Sequence, residues 1–169
     1  MPKITALLHT HNNALQLSRA LDSLRPCDEV LVIDAGSDDD TEKVARDHGA
    51  NIKKAIPGVS PGAYAMDAVH EWILCLRPNE SLSENLAAAL SEWKERDVGD
   101  EALCYGVPIR QENLSGWQEL PPEVRLVNRC RMNWVGEMPP DQVCSGVLDG
   151  ELLSYEEQSA FSHPQSAKG

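Results

Sequence analysis

The chain has 169 residues, of which 41% are hydrophobic and 25% charged, a composition that suits one folded domain and excludes a wholly disordered segment. Its formal net charge is −12. That acidity argues against a nucleic-acid surface, because phosphate backbones are gripped by basic faces, and an anionic ligand would need a local basic pocket.

Ile4 to Leu8 is a short apolar run, read as the first strand, and it stops at His9-Thr10-His11-Asn12-Asn13. Leu17, Ala20, Leu21 and Leu24 then recur at helical spacing, and Pro26 ends that helix. Glu29 to Ile33 is a second strand, an unbroken apolar run suited to a sheet covered on both faces. Asp34-Ala35-Gly36-Ser37 turns the chain. Asp38, Asp39 and Asp40 then suit the start of a helix, where free N–H groups favour negative charge, better than they suit a metal site. That helix carries Val44, Ala45 and His48 and stops at Gly49, with His48 placed to meet the negative end of the helix dipole.

A third strand is expected over Asn51 to Ile56, and Ser60-Pro61 opens another helix. Trp72 to Leu76 is the fourth strand, followed by the loop Arg77-Pro78-Asn79-Glu80; Ser83 caps a helix bearing Leu86, Ala89, Leu90 and Trp93. Ala102 to Ile109 is a further strand. Val124 to Asn128 and Asn133 to Val135 are expected to form a hairpin turning at Arg129-Cys130-Arg131. The alternation predicts an α/β fold, a mostly parallel Rossmann-like sheet with a small C-terminal hairpin, over residues 1–155, with 156–169 a disordered tail.

Five cysteines, an odd number with no C-x-x-C pair, fit neither a zinc ligand set nor a disulfide framework; Cys75 and Cys104, in apolar runs, read as buried thiols of a reducing compartment. No signal-peptide core opens the chain, and no apolar stretch approaches the ~20 residues that cross a bilayer. A cytoplasmic location is expected, with peripheral membrane association left open.

Three polar clusters, His9 to Asn13, Asp34 to Ser37 and Arg77 to Glu80, each directly follow a strand. In a parallel sheet such ends line one edge, where ligands bind. His9 and His11 share a face of the strand end and are weak candidates for a metal. Ser37 has no nucleophile-elbow context.

These segments resemble the family 2 glycosyltransferases of the GT-A fold, a three-layer αβα sandwich. Residues 4–12 look like that family's opening strand and Pro-Thr-Tyr-Asn turn. Residues 29–41 look like its Val-Asp-Asp/Ser-Gly-Ser segment, and 71–80 match the position of its Asp-Trp-Ile-Leu-Phe-Leu-Asp-Ala-Asp-Glu. Val124 to Val127, with Trp134-Val135-Gly136-Glu137, is a fainter echo of an acceptor-side segment. The resemblance implies transfer of a sugar from a nucleotide-diphosphate donor to an acceptor hydroxyl, in cell-surface polysaccharide synthesis. It implies nucleotide contacts from His9, Thr10, Asn12, Asp34, Arg77 and Asn79, with Glu137 and Glu80 as candidate catalytic carboxylates.

The family's metal-binding Asp-x-Asp is replaced by Arg77-Pro78-Asn79, so the usual Mn²⁺ or Mg²⁺ ligands are missing and no cofactor is assigned. Ala35 stands for the second acid of the base-recognition pair, and Pro139-Pro140 for a His-Glu pair. Arg77 either takes over neutralisation of the diphosphate or is a solvated loop residue; Arg125, Arg129 and Arg131 either add charge to the cleft or form a solvated hairpin tip. The acceptor is not identified. The alternatives are a catalytically inactive nucleotide-sugar-binding or protein-interaction module and, more distantly, a nucleotidyltransferase, whose glycine-rich basic loop is lacking.

Overall fold

The computed structural model describes residues 1–99 and 101–156. In chain order these form β1 (Ile4–Thr10), α1 (Ala14–Asp22), β2 (Glu29–Asp34), α2 (Thr41–Asp47), β3 (Asn51–Lys54), a 3₁₀ helix (Pro61–Asp67), β4 (Trp72–Cys75), β5 (Glu80–Leu82), α3 (Glu84–Glu95), β6 (Cys104–Asn113), β7 (Gly116–Asn128), β8 (Gly146–Val147) and β9 (Leu152–Ser154). All nine strands join one sheet in the order β3-β2-β1-β4-β7-β6-β9-β5, with β8 beside β6. The expected tail, apart from Glu156, lies outside the described residues.

The first half is parallel: β1 lies between β2 and β4, and β3 adds beyond β2. Alternation along these strands serves two cores. Ile4, Ala6, Leu8, Val32, Trp72 and Leu74 pack under α1, α2 and α3 against Leu17, Ala20, Leu86, Leu90 and Trp93. Leu7, Leu31, Ile33, Ile73 and Cys75 point to the other face, against Tyr64, Ala65, Ala68 and Trp134. Both faces are dry, which is why the runs read as unbroken apolar stretches. Each buried Leu or Ile contributes about 1.5–3 kcal/mol against exposure, enough to override the polar ends that follow. The second covering layer is made by the 3₁₀ helix and the loop around Trp134 rather than by α-helices.

Pro61 and Gly62 explain the tighter helix: no Ser60 side-chain cap forms, and the Gly62 N–H bonds Val135 O (3.1 Å) instead of continuing an α-helical ladder. Ser83 caps α3 as expected, its hydroxyl accepting from the Leu86 N–H. His48, at the end of α2, donates from Nδ1 to Val44 O (2.8 Å).

The second half corrects the sequence reading. Val124 to Asn128 is part of β7, which pairs antiparallel with both β4 and β6, and Asn133 to Val135 is not a strand. The hairpin turns between Asn113 and Gly116, and its outer part runs past the end of β4 with largely exposed side chains. A ribbon with no covered face offers no apolar alternation to read. Glu80, expected in a loop, opens β5 and is buried.

Candidate functional site

β1 and β2 end in register, Thr10 opposite Asp34, and Leu7 is opposite Cys75 of β4, so the three polar clusters meet at one edge of the sheet. Between them is a cleft of about 430 Å³ lined by residues that include His9, Thr10, His11, Asn13, Arg77, Pro78, Asn79 and Glu137. A larger hollow, about 840 Å³, lies at the opposite ends of β1 and β4 among Lys3, His70, Trp72 and Arg131. None of the three clusters reaches it, so its size carries no functional weight.

The loops after β1 and β2 are stitched together. Asp34 is buried, and its carboxylate accepts from the Thr10 hydroxyl (2.8 Å), the Ser37 hydroxyl (2.6 Å) and the Ser37 N–H (2.9 Å). Burial alone would raise its pKa, but these bonds outweigh it and hold the group below the ordinary carboxylate range. Asn12 adopts the left-handed conformation (φ 55°), which lets its N–H reach the Ser37 hydroxyl (2.9 Å) and its side-chain oxygen accept from the Asp38 N–H (2.8 Å). Gly36 (φ 75°) makes the facing turn. Asp39 closes the seam, accepting from Thr41 and from the Ala14 N–H (3.2 Å). Asn12 and Asp34, expected to contact a nucleoside, use these bonds in bracing the cleft wall, and neither is on the cleft lining.

On the open side, His9 is half-buried, its Nε2 has no hydrogen-bond partner, and its ring meets the Tyr64 ring edge-on at 6.3 Å. Burial lowers its pKa, against an opposing pull from the Glu137 carboxylate, so the imidazole is neutral at pH 7. His11 donates from Nδ1 to Ala35 O (2.9 Å), which fixes its ring at the lip. Tyr64 accepts from the Ile56 N–H through its hydroxyl (2.7 Å) and forms the cleft's apolar side. Tyr64 was not anticipated; only the apolar periodicity of its segment marked it, and that signals core as readily as site. Glu137 reaches the cleft because the loop carrying it is pressed onto the 3₁₀ helix, where a side chain at Gly62 would strike the Trp134 carbonyl.

Glu80, expected as a candidate catalytic carboxylate, is held away from the cleft lining. It is buried and grips Arg125 in a bidentate pair (2.7 and 2.8 Å), while its Oε1 also accepts from the Arg77 N–H (2.8 Å). Arg125 is equally buried and also bonds Cys75 O (3.1 Å) and Glu123 (3.0 Å). Burial would lower the guanidinium's pKa, but the bonds to Glu80 and Glu123 outweigh it and raise it, so Arg125 stays protonated. Arg129 donates to His70 O (3.0 Å), and Arg131 lines the hollow at the other end. None of these three arginines charges the cleft.

Arg77 does. Its side chain is 46% exposed, with Nη1 3.6 Å from Glu80 Oε2, and among the described residues it is the single lysine or arginine on the lining. Asn79 is tied to the C-terminal segment, its Nδ2 donating to Tyr155 O (2.8 Å) and its carbonyl accepting from the Tyr155 N–H (2.9 Å). A guanidinium, a proline and an amide bound elsewhere do not suit the divalent ion that the resemblance associates with this position. Among the described residues, no three His, Cys, Asp or Glu side chains converge to hold a metal.

Comparison with protein-family models finds no match. A protein of Rickettsia felis named "Uncharacterized glycosyltransferase" is 37% identical over 113 residues, 64% of this chain and 40% of its own length. One of Rickettsia conorii with the same description is 35% identical over 111 residues, 63% of this chain and 39% of its own. The chain thus spans about 40% of the curated relatives it matches. The crystal structure of S. aureus TarS superposes with a TM-score of 0.52 over 70% of this chain and 23% of that one, at 18% identity, a likeness of fold alone. In sequence the chain is therefore similar to proteins named glycosyltransferases, and its mixed α/β sheet has the GT-A-like fold that its strand-end segments resemble.

Proposed function

We propose that the cleft binds a nucleotide-diphosphate sugar and that the chain transfers its sugar to an acceptor hydroxyl, in cell-surface polysaccharide synthesis. The observation that carries this reading is the convergence of His9, Thr10, His11, Asn13, Ala35 and Arg77 to Asn79 on one cleft, in the register of the resemblance. The names of the sequence relatives support it. Arg77 supplies the charge: a planar guanidinium donates two parallel bonds to phosphate oxygens and stays protonated. Glu137 supplies the base. It takes the proton of the acceptor hydroxyl as that oxygen attacks the anomeric carbon, and the nucleoside diphosphate leaves with the bonding electrons beside Arg77. Among the described residues no helix is long and apolar enough to cross a membrane; cytoplasmic placement is part of the proposal.

One observation favours a second reading, a binding module of the same fold that does not turn over. A single guanidinium stabilises a departing diphosphate less than a divalent ion does, and the nearest buried carboxylate, Glu80, is committed to Arg125. Calorimetric titration with UDP and UDP-sugars, with and without Mn²⁺, tests both. The expected result is binding unchanged by Mn²⁺ and weakened about 10- to 100-fold in Arg77→Ala, the range of a lost charged hydrogen bond. Sugar transfer lost in Glu137→Gln with binding intact supports the enzyme; binding without any transfer supports the module. Absence of binding to every nucleotide tested would remove the transferase and the nucleotide-sugar-binding module and leave a protein-interaction module of the same fold.

A further inference from the structure

The five cysteines read as unpaired thiols, yet two of them meet. Cys104, buried at the start of β6, and Cys144, partly exposed in the loop before β8, place their Sγ atoms 2.6 Å apart. That is closer than a non-bonded contact and within about 0.6 Å of a disulfide bond. The approach does not depend on side-chain placement alone. Ser145 N–H donates to Cys104 O (2.9 Å), Leu103 N–H to the Ser145 hydroxyl (3.3 Å), and Tyr105 pairs with Gly146 in the parallel ladder. Backbones held at neighbouring-strand spacing fall within the span a disulfide bridges. A hollow of about 370 Å³ lined by residues that include Asp141, Gln142 and Cys144 lets a reagent reach Cys144, with Cys104 buried behind it.

We propose that Cys104 and Cys144 are a dithiol site that forms a reversible disulfide and clamps the loop between β7 and β8 to the sheet. The loop carries Trp134, which seals the second core, and Glu137, on the cleft lining. Oxidation therefore stiffens the cleft wall that bears its carboxylate, whatever ligand the cleft takes. With glutathione disulfide as oxidant, one thiol loses its proton and attacks a glutathione sulfur, expelling glutathione as thiolate. The second thiol then attacks the mixed disulfide and expels the other glutathione. Two thiol protons and two electrons pass to two glutathione molecules, and one S–S bond replaces two S–H bonds. Burial and the neighbouring Cys104 push the Cys144 thiol up to about 12, so exchange is slow at neutral pH and quickens about tenfold per pH unit with the thiolate fraction.

The full chain, equilibrated in mixtures of reduced and oxidised glutathione, then alkylated and digested, should yield one linked pair of peptides containing Cys104 and Cys144, two hydrogens lighter and released by reductant. Backbone hydrogen exchange over residues 129–143 should slow at least tenfold on oxidation, and that slowing should vanish in Cys144→Ser, which leaves the buried Cys104 in place. Complete alkylation of both cysteines under the most oxidising mixture, or linkage of Cys104 to a different cysteine, overturns the site. Linkage without any change in exchange overturns the clamp.

Discussion

Glu80 and Arg125 show how a carboxylate beside a cleft is claimed by structure. Both side chains are 1% exposed, and their charges are met by two mutual bonds, the Arg77 N–H, Cys75 O and Glu123. Removing one partner strands the other charge in a dry layer, a loss of about 3–5 kcal/mol. Glu80→Gln should therefore lower the urea midpoint sharply, and Glu80→Leu with Arg125→Met should recover much of the loss, because two apolar groups leave no charge behind. A catalytic Glu80 makes the opposite prediction: unchanged stability with activity alone lost. Urea denaturation of Glu80→Gln and of the double variant separates these outcomes. Sequence alone did not disclose the role, since the partner lies 45 residues away on a strand whose position was misjudged.

At the scale of elements, the cleft depends on a contact between two segments without regular α or β structure. The 3₁₀ helix and the Trp134 loop touch at Gly62, where an added Cβ would lie 2.0 Å from the Trp134 carbonyl oxygen. Gly62→Ala must push the two apart and weaken the Gly62 N–H bond to Val135 O. The expected cost is about 1–3 kcal/mol, the range for overpacking a fitted interior. Thermal unfolding should register that cost, and hydrogen exchange should quicken over residues 132–138 while β1 and β4 stay protected. Uniform loss of protection would mean that the loop is not a separate wall. The parallel half was legible because its strands are apolar on both faces and each ends abruptly in polar residues. The hairpin was not, because its outer ribbon is exposed on both sides. Nor could the pattern divide a polar cluster into residues that face the cleft, such as His9 and His11, and residues that brace it, such as Asn12 and Asp34. The division lies in bonds between loops about 25 residues apart.

Across the whole molecule, acid acts through three opposed effects. The formal net charge of −12 repels itself at neutral pH, and protonation toward mild acid relieves that repulsion. His9 works against this: burial depresses its folded pKa, so the unfolded chain binds its proton more readily, and stability falls as pH drops below the ordinary 6.5. Asp28, Glu29, Asp34 and Asp39 decide the acid limb. Burial would raise each, but hydrogen bonds, with Lys94 at Asp28, outweigh it and lower all four. Depressed carboxylates contribute stability that is present above their ordinary values of 3.8 (Asp) and 4.5 (Glu) and is lost as pH falls through the folded values. The melting temperature should thus change little between pH 7 and pH 5, where the first two effects oppose one another, and fall steeply below about pH 4. Ser37→Ala removes the hydroxyl that donates to Asp34, so its acid limb should be shallower than that of the parent chain even though its neutral-pH stability is lower. Parallel melting curves across pH for the two proteins make the comparison. An acid limb of the same slope in both would assign the loss to carboxylates other than Asp34, and with it would go the seam between the loops after β1 and β2 as the acid-sensitive element.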